Sequence, residues 1–185
     1  TTPGSKGARV DEARRTALLA ALRQALGADA LRTGEAIGER HLSDWSGAPP
    51  VRPLALLRPA SSAEVAAALA IAAEHRVPVV PQGGLTGLAG AAVPLPGSLA
   101  LSLERMNKLL ELDEESQIAT FGPGANGPQV ESQLRARGYT LGHYPQSWEL
   151  STLGGWVASR SSGQQSLRYG RIEQLFAGGT VETFA

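Results

Sequence analysis

A glycine-rich stretch after a short β-branched run is the part of the sequence best suited to binding chemistry. Residues 77–81 (Val-Pro-Val-Val-Pro) precede it, and four glycines follow within eight residues: Gly83, Gly84, Gly87 and Gly90. Glycine adopts φ > 0 at little cost, so we expect the backbone to curl and its N–H groups to point inward. Such a concavity suits phosphate or diphosphate. The stretch has no lysine, so main-chain donors would do most of the binding; a tight turn before the next strand is the alternative interpretation.

A second stretch, residues 145–163, crowds hydroxyl groups around a double glycine. Its centre is Gly154-Gly155-Trp156, and its hydroxyl-bearing residues are Ser147, Ser151, Thr152, Ser159, Ser161 and Ser162. The glycines allow close approach of a flat or phosphorylated ligand, and the hydroxyl groups supply hydrogen bonds to it. The alternative is a solvated polar loop. The nearby tryptophans disfavour that alternative, because loops rarely expose large aromatic side chains without cause.

Residues 122–127 (Gly-Pro-Gly-Ala-Asn-Gly) match the G-x-G-x-x-G pattern of dinucleotide-binding turns. The local chemistry argues against that function. Pro123 removes one backbone donor from the turn, and Pro128 removes another at the start of the following helix. The preceding strand also follows an acidic hairpin and does not open a βαβ unit. We therefore predict a glycine-rich strand-to-helix turn.

The histidines do not form a metal-binding pattern. His41, His75 and His143 are far apart in the sequence, and no H-E-x-x-H motif is present. We expect His75 to be a solvated cation at a helix end. His143 lies just before the second stretch, and we expect it to have a packing or hydrogen-bonding role, with contact to a bound ligand as the alternative. Arg160 has two open roles, contact with a phosphate or an ion pair with a carboxylate such as Glu173.

Hydrophobic periodicity and turn signals predict the elements that position these stretches. We predict helices over 11–27, from Ser61 or Ser62 to about 75, and from Asn126 or Gly127 to just before Gly138. We predict strands over 54–57, 77–80 and 98–103, and a hairpin of 109–112 with 117–121. Residues 1–9 are expected to be a flexible lead, and 28–52 to be short helical pieces and an irregular link, with a boundary near 47–50. A strand, a helix and a strand in about 30 residues indicate a βαβ unit, with 54–57 and 77–80 as a parallel pair.

Composition excludes several classes of function. The 185 residues carry 17 Lys+Arg and 17 Asp+Glu, a formal net charge of +0, which argues against broad electrostatic binding to nucleic acid or anionic lipid. There is no cysteine, which excludes disulfides, thiolate metal sites and a cysteine nucleophile. No apolar run approaches the ~20 residues that span a bilayer, and no secretory signal is evident, so we expect a cytoplasmic protein without a membrane span.

Two segments of the chain resemble one family of flavoproteins. Residues 78–90 are similar to the pyrophosphate loop of the PCMH-type FAD-binding domain, which vanillyl-alcohol oxidase and p-cresol methylhydroxylase share. Residues 151–163, followed by Tyr169-Gly170, are similar to that family's second FAD segment, in the same order along the chain. The resemblance implies an α+β FAD-binding domain in two subdomains over 49–185, with the ADP-diphosphate between them. Residues 1–48 would then be an N-terminal helical segment.

The resemblance also implies which residues bind FAD. The first segment contributes Pro81, Gln82, Gly83, Gly84, Leu85, Thr86 and Gly87. The second contributes Gln146, Ser147, Ser151, Thr152, Gly154, Gly155, Ser159, Arg160, Ser161 and Ser162. Some relatives attach the flavin to a histidine in the glycine loop. This loop has no histidine, so the resemblance implies noncovalent FAD.

Two kinds of enzyme within the family share features with this sequence. The glycine loop, with Val93-Pro94 after it, resembles D-2-hydroxyacid dehydrogenases, which are oxidoreductases of small-molecule substrates. Residues 138–157 resemble alkylglycerone-phosphate synthase, whose flavin serves alkyl transfer without net redox turnover. We expect an FAD-dependent oxidoreductase, with the alkyl transferase as the alternative.

Family members continue beyond the position of Ala185, with a further FAD segment and a substrate domain that carries the catalytic groups. We therefore expect this chain to be part of a longer protein and inactive by itself, with homodimer contacts in the region that follows. We assign no catalytic residue. A third hypothesis is a non-catalytic fragment that does not hold FAD, because part of the binding cleft lies outside it.

Overall fold

The structure is a computed structural model that describes residues 12–184. Its helices are α1 (Glu12–Leu26), α2 (Ser62–Glu74), α3 (Gly127–Arg135), α4 (Leu153–Ser159), α5 (Ser166–Tyr169) and α6 (Ile172–Leu175). Its strands are β1 (Leu31–Arg32), β2 (Ala55–Leu57), β3 (Val79–Gln82), β4 (Leu99–Ser102), β5 (Leu109–Asp113) and β6 (Ile118–Phe121). This mixture of helices and strands confirms the predicted α+β class. The flexible lead predicted for 1–9 lies outside the described residues.

The chain divides into two compact units. The first contains the described residues as far as Gln82, then Gly87–Leu101 and the last described residues from Glu182. The second contains Gly83–Thr86 and Ser102–Val181. The domain division inferred from the resemblance, 1–48 and 49–185, stays a prediction. Among the helices of residues 12–184, none combines the length and the apolar character needed to cross a membrane.

The first unit is built on a sheet with the strand order β1-β2-β4-β3. β2 pairs with β4 in parallel, with Ala55 opposite Leu99 and Leu57 opposite Leu101. The expected direct pair of β2 with β3 is therefore wrong, because β4 lies between them. The strand–helix–strand pattern correctly predicts that β2 and β3 belong to one sheet. It carries no signal for the later strand that is inserted between them.

Helix α1 presents a row of leucines to the core of this unit. Leu18, Leu22 and Leu26 are buried, as their four-residue spacing predicts. The Arg14 guanidinium donates a hydrogen bond to the carbonyl oxygen of His75, the residue that caps the end of α2. The predicted helix over 11–27 is thus confirmed in its described part.

Helix α2 begins at the serine cap that the sequence indicates. The Ser61 hydroxyl oxygen accepts from the Glu64 N–H at 3.2 Å, and the Glu64 carboxylate accepts from the Ala60 N–H at 2.8 Å. Ala68 and Ala72 on this helix are fully buried. The cap therefore fixes where the helix starts and which of its residues face the core.

Residues 28–52 contain three short 3-10 turns, at Ala28–Ala30, Gly34–Ala36 and Glu39–Leu42. This agrees with the expected short helical pieces and irregular link, except for β1. The sequence does not predict β1, because two residues are too few to show an alternating pattern. Its antiparallel pairing with β2, Leu31 opposite Leu57, identifies it as a strand.

The second unit contains the predicted hairpin, β5 paired antiparallel with β6, followed by α3. Asn126 caps α3: its side chain accepts from the Gln129 N–H at 3.0 Å, and the Gln129 side chain accepts from the Asn126 N–H at 3.0 Å. The buried core around this helix consists of Ala125, Val130 and Leu134. Hairpin and helix are both confirmed.

The G-x-G-x-x-G match is confirmed as a strand-to-helix turn between β6 and α3. A Cβ on Gly122 would lie well inside 3.0 Å of the Met106 carbonyl oxygen, and one on Gly124 well inside 3.0 Å of the Leu103 carbonyl oxygen. The Gly124 N–H also donates to the Met106 carbonyl at 2.9 Å. Close packing against protein backbone therefore accounts for these two glycines.

We expect Gly124→Ala to destabilise the second unit, because its new Cβ has no room beside the Leu103 carbonyl. Overpacking of this kind costs about 1–3 kcal/mol. Urea unfolding followed by circular dichroism measures the change. Gly38→Ala is the matched control, since nothing lies within 4 Å of its Cβ position and its φ of −61° suits alanine. Equal unfolding midpoints for the two variants would contradict this packing role.

Candidate functional site

The two stretches that the sequence singles out are in contact within the second unit. A Cβ on Gly84 would lie well inside 3.0 Å of the Leu150 carbonyl oxygen and of Ser151 Cα. A Cβ on Gly83 would lie 2.5 Å from Thr152 Oγ1. Because only glycine brings its backbone this close to a neighbouring segment, both residues are required for the contact.

The sequence suggests that the loop glycines are needed because they adopt a positive φ. This explanation is wrong at three of the four glycines. Of Gly83, Gly84, Gly87 and Gly90, only Gly90 has a positive φ, at 75°. The left-handed residue between them is Leu85, with φ 61°, an uncommon conformation for a leucine. The Leu85 side chain is buried, so its packing offsets the backbone strain. Composition shows which residues tolerate φ > 0, whereas packing decides which residue adopts it.

The main-chain N–H groups of Gly83–Thr86 have no hydrogen-bond acceptor in the described chain, residues 12–184. Folded proteins pair most of their buried backbone donors. Residues 83–86 are buried or half-buried, so a run of unpaired donors among them is unusual. Diphosphate oxygens accept hydrogen bonds from several backbone N–H groups at once. This part of the loop therefore fits the diphosphate of FAD, and it does so without a basic side chain.

The ends of the same loop belong to the first unit and have different surroundings. The Gln82 side chain is buried: its Nε2 donates to the carbonyls of His41 and Ala92, both at 3.0 Å, and its Oε1 accepts from His41 Nδ1 at 2.9 Å. Only the main chain of Gln82 is left for a ligand. Pro81 has no N–H to donate. A Cβ on Gly87 would make one ordinary contact, at 3.8 Å, so packing does not require glycine there.

The second stretch enters α4 through Thr152, the N-cap. Thr152 Oγ1 accepts from the Gly155 N–H at 3.4 Å, and the Gly154 N–H donates to the Pro123 carbonyl at 2.8 Å. A Cβ on Gly154 would lie 2.8 Å from Pro123 Cβ. Both N–H groups of the double glycine thus donate to protein acceptors, and Pro123 occupies the space beside Gly154. The assignment of the double glycine to the cofactor stays a prediction.

Six of the polar side chains predicted to bind FAD fall into two sets. Ser151 Oγ donates to a carbonyl at 2.9 Å and accepts from Trp156 Nε1 at 2.7 Å, and Ser159 Oγ donates to a carbonyl one turn earlier at 2.8 Å. These hydroxyl groups are used by the fold. A second set has side chains with no hydrogen-bond partner in residues 12–184: Thr86, Gln146, Ser147 and Ser162. The second set is free to contact a ligand.

Arg160 ends α4 in the left-handed conformation, with φ 53°. Its Nη2 lies 3.6 Å from Glu173 Oε1. Of the two roles left open by the sequence, the structure shows the ion pair with Glu173. The arginine is largely exposed, so this ion pair contributes little to stability.

His143 is buried, with its ring centroid 5.1 Å from that of Trp156 in an edge-on arrangement. Burial lowers the pKa of the imidazole, so the ring is neutral at pH 7. Its Nε2 lies 2.7 Å from Ser161 Oγ. The packing and hydrogen-bonding role expected for His143 is therefore confirmed. In residues 12–184, no group of three or more His, Asp or Glu side chains is placed to hold a metal ion.

The sequence pattern does not indicate two of the groups that hold the glycine loop in place. The Leu150 carbonyl limits the space beside Gly84, and His41 holds the Gln82 side chain. Every residue has a backbone carbonyl, so nothing in the sequence distinguishes that of Leu150. His41 is 41 positions from Gln82, and only the fold brings the two side chains together.

Comparison with known proteins agrees with this geometry. The family model described as an FAD binding domain matches residues 53–183. Alkyldihydroxyacetonephosphate synthase of Dictyostelium discoideum is 39% identical over 123 residues, which cover 65% of this chain and 20% of that protein. D-2-hydroxyglutarate dehydrogenase of Xanthomonas citri pv. viticola is 36% identical over 165 residues, which cover 88% of this chain and 34% of that protein.

A solved structure of alkyldihydroxyacetonephosphate synthase superimposes on the chain with a TM-score of 0.80 and 32% identity. The superposition covers 85% of this chain and 32% of that one. The chain therefore spans between a fifth and about a third of the length of these relatives, 20% to 34%. The FAD cofactor inferred from the resemblance is confirmed by the family match.

We expect Gly84→Ala to push the glycine loop away from Leu150, because a methyl group has no space beside that carbonyl. The free energy of unfolding should fall by about 1–3 kcal/mol in urea, and amide exchange should become faster at residues 150–152. Gly87→Ala is the control within the same loop, since its Cβ would have only an ordinary contact at 3.8 Å. Unchanged stability and exchange in Gly84→Ala would rule out the contact.

Proposed function

The chain belongs to the FAD binding domain family, and we propose that it holds the FAD diphosphate in a flavin-dependent oxidoreductase of a small 2-hydroxy acid. The unpartnered N–H groups of Gly83–Thr86 carry this proposal. They provide several donors in sequence, on a segment whose position is fixed by packing. A diphosphate offers acceptor oxygens in matching number.

The proposed site combines main-chain and side-chain donors of the second unit. Gly83–Thr86 bind the diphosphate oxygens through N–H groups, and Thr86 adds its hydroxyl. Gln146, Ser147 and Ser162, which have no partner in the described residues, bind other polar parts of the cofactor. Residues 77–90 contain no histidine, which supports noncovalent attachment.

Two other predicted site residues act on the position of the cofactor indirectly. Ser151 and Thr152 stabilise the start of α4 and the segment that contacts the glycine loop. Donors that are fixed before binding lose less conformational entropy when the ligand arrives. When bound, FAD supplies the chemistry by accepting the electrons and hydrogen that a substrate loses. Among residues 12–184 we assign no catalytic acid or base.

The 2-hydroxy acid in this proposal rests on the likeness to D-2-hydroxyglutarate dehydrogenase, which extends over 88% of the chain. Oxidation of a 2-hydroxy acid to a 2-oxo acid releases two electrons and two protons, which matches the capacity of a flavin. A homodimer, a cytoplasmic location and the domain division at residues 48 and 49 stay predictions.

A second candidate function is alkyl transfer to a glycerone-phosphate ester. The likeness to alkyldihydroxyacetonephosphate synthase favours it, through 39% identity over 123 residues and the TM-score of 0.80. Both candidates need FAD held in the same way by this part of the chain. They differ in groups that act on the substrate, and this chain's cofactor loop does not discriminate between them.

We expect the 185-residue chain to bind FAD, and Thr86→Ala to raise the dissociation constant about fivefold, since one hydrogen bond contributes about 1 kcal/mol. Titration followed by quenching of flavin fluorescence measures the constant. Ser116→Ala is the control, because its hydroxyl donates to Asp113 in the turn between β5 and β6. If the wild-type chain binds no FAD, the proposed site is wrong. If the FAD dissociation constant is unchanged in Thr86→Ala, Thr86 does not contact the cofactor.

A longer protein that includes this chain should separate the two activities. We expect D-2-hydroxyglutarate or another 2-hydroxy acid to bleach its visible flavin absorbance under anaerobic conditions, because the flavin is reduced. Reoxidation by an electron acceptor should restore the absorbance. Reaction only with an acyl-dihydroxyacetonephosphate and a fatty alcohol, with no bleaching by any 2-hydroxy acid, would overturn the oxidoreductase proposal in favour of alkyl transfer.

A further inference from the structure

The buried imidazole of His143 has one paired and one unpaired nitrogen. Nε2 lies 2.7 Å from Ser161 Oγ, whereas Nδ1 is buried and has no hydrogen-bond partner in residues 12–184. The side chain is 1% exposed, so water does not reach it freely. Leaving a buried polar atom unpaired costs about 1–3 kcal/mol. The free energy of the folded chain therefore depends on whether Nδ1 or Nε2 carries the proton.

A neutral imidazole carries a single N–H, and burial keeps His143 neutral by lowering its pKa. A proton on Nδ1 would be a buried donor without an acceptor. A proton on Nε2 is instead hydrogen-bonded to Ser161 Oγ, and Nδ1 then has only an unused lone pair. Orphaned buried donors are rarer in folded proteins than under-used acceptors. The surroundings of His143 thus favour the tautomer with the proton on Nε2.

Ser161 is fixed by its backbone on both sides. Its N–H donates to the Trp156 carbonyl at 2.9 Å, and its own carbonyl accepts from the Ile172 N–H at 3.3 Å. In residues 12–184 its hydroxyl has no hydrogen-bond partner except His143. When Nε2 of His143 donates to Ser161 Oγ, the hydroxyl hydrogen of Ser161 is left unused.

We propose that His143 is a positioning residue that fixes Ser161 as a hydrogen-bond donor to an acceptor oxygen of FAD. The proposal rests on the proposed FAD-binding function and adds a residue outside the predicted site. A serine with a free hydroxyl accepts or donates, depending on its neighbours. Ser161 already accepts from His143, so it selects a ligand atom that accepts, namely a phosphate or carbonyl oxygen.

Nitrogen-15 NMR of the His143 ring in the FAD-free 185-residue chain tests the tautomer without any substitution. The signals of His143 are assigned as those that disappear in His143→Gln. We expect a protonated Nε2 and an unprotonated Nδ1 at pH 7. A proton on Nδ1 overturns the proposal, because Ser161 would then donate to His143 and have no hydrogen for a ligand.

FAD titration tests the consequence for the ligand. Ser161→Ala and His143→Phe should each raise the dissociation constant about tenfold, and the double variant no further, because both changes remove the same donor. His143→Gln, whose amide also donates, should recover most of the affinity. His75→Phe is the matched control, since His75 lies at the end of α2 in the first unit. Additive losses, or no recovery in His143→Gln, overturn the proposal.

The outcomes separate this proposal from the proposed function. If the wild-type chain and Ser161→Ala bind FAD equally well, the proposed role of His143 is wrong, whereas the proposed FAD site is not contradicted. If the wild-type chain binds no FAD, the ligand part falls together with the proposed function. The NMR result then still shows whether His143 orders the Ser161 hydroxyl, because that measurement needs no FAD.

Discussion

The close approach of Gly83 and Gly84 to residues 150–152 is the constraint on which the candidate site depends. Backbone atoms meet backbone and side-chain atoms at distances that leave no room for a Cβ. The loop is therefore held by packing, while its own N–H groups stay unpaired within the described chain. Leu85, left-handed and buried, stores backbone strain at the same place. A binding loop with unpaired donors persists only when its surroundings determine its conformation in this way.

Several polar residues near the candidate site form hydrogen bonds within the protein and hold the site in place, and these bonds are not available to a ligand. Ser151 pairs with Trp156, Thr152 caps α4, and His143 pairs with Ser161. Each of these bonds fixes a segment whose neighbours have free polar groups. Serine and threonine are useful in both roles because a hydroxyl donates and accepts. Hydroxyl-rich composition therefore predicts a polar site correctly, while it overstates the number of side chains that contact the cofactor.

Membership of the FAD binding domain family explains why the chain resembles two kinds of enzyme. The diphosphate of FAD is the same ligand in an oxidoreductase and in an alkyl transferase, so one loop geometry serves both. Function is decided by groups that act on the substrate, and a fold shared between enzymes does not specify them. The proposed 2-hydroxy acid oxidation and the alkyl transfer therefore differ in residues other than Gly83–Thr86.

Local patterns in the sequence predict α1, α2 and α3, the caps of α2 and α3, the hairpin and the two stretches of the candidate site, whereas they do not predict α4, α5 and α6. The leucine spacing of α1, the Ser61 cap and the Asn126 cap each rest on interactions within a few residues, which a sequence displays directly. The insertion of β4 between β2 and β3 was decided by tertiary structure, as was the short strand β1. Strand order depends on pairing between distant segments, for which a local pattern has no signal.

Contacts between distant segments are also missing from the sequence pattern at the candidate site. The sequence indicates that Gly83 and Gly84 matter, because no other residue type combines their freedom with the absence of a Cβ. It could not determine why they matter. The partner of Gly84 is the Leu150 carbonyl, which is identical in kind to every other carbonyl of the chain. The fold shows that close packing against residues 150–152, and not a positive φ, requires these glycines.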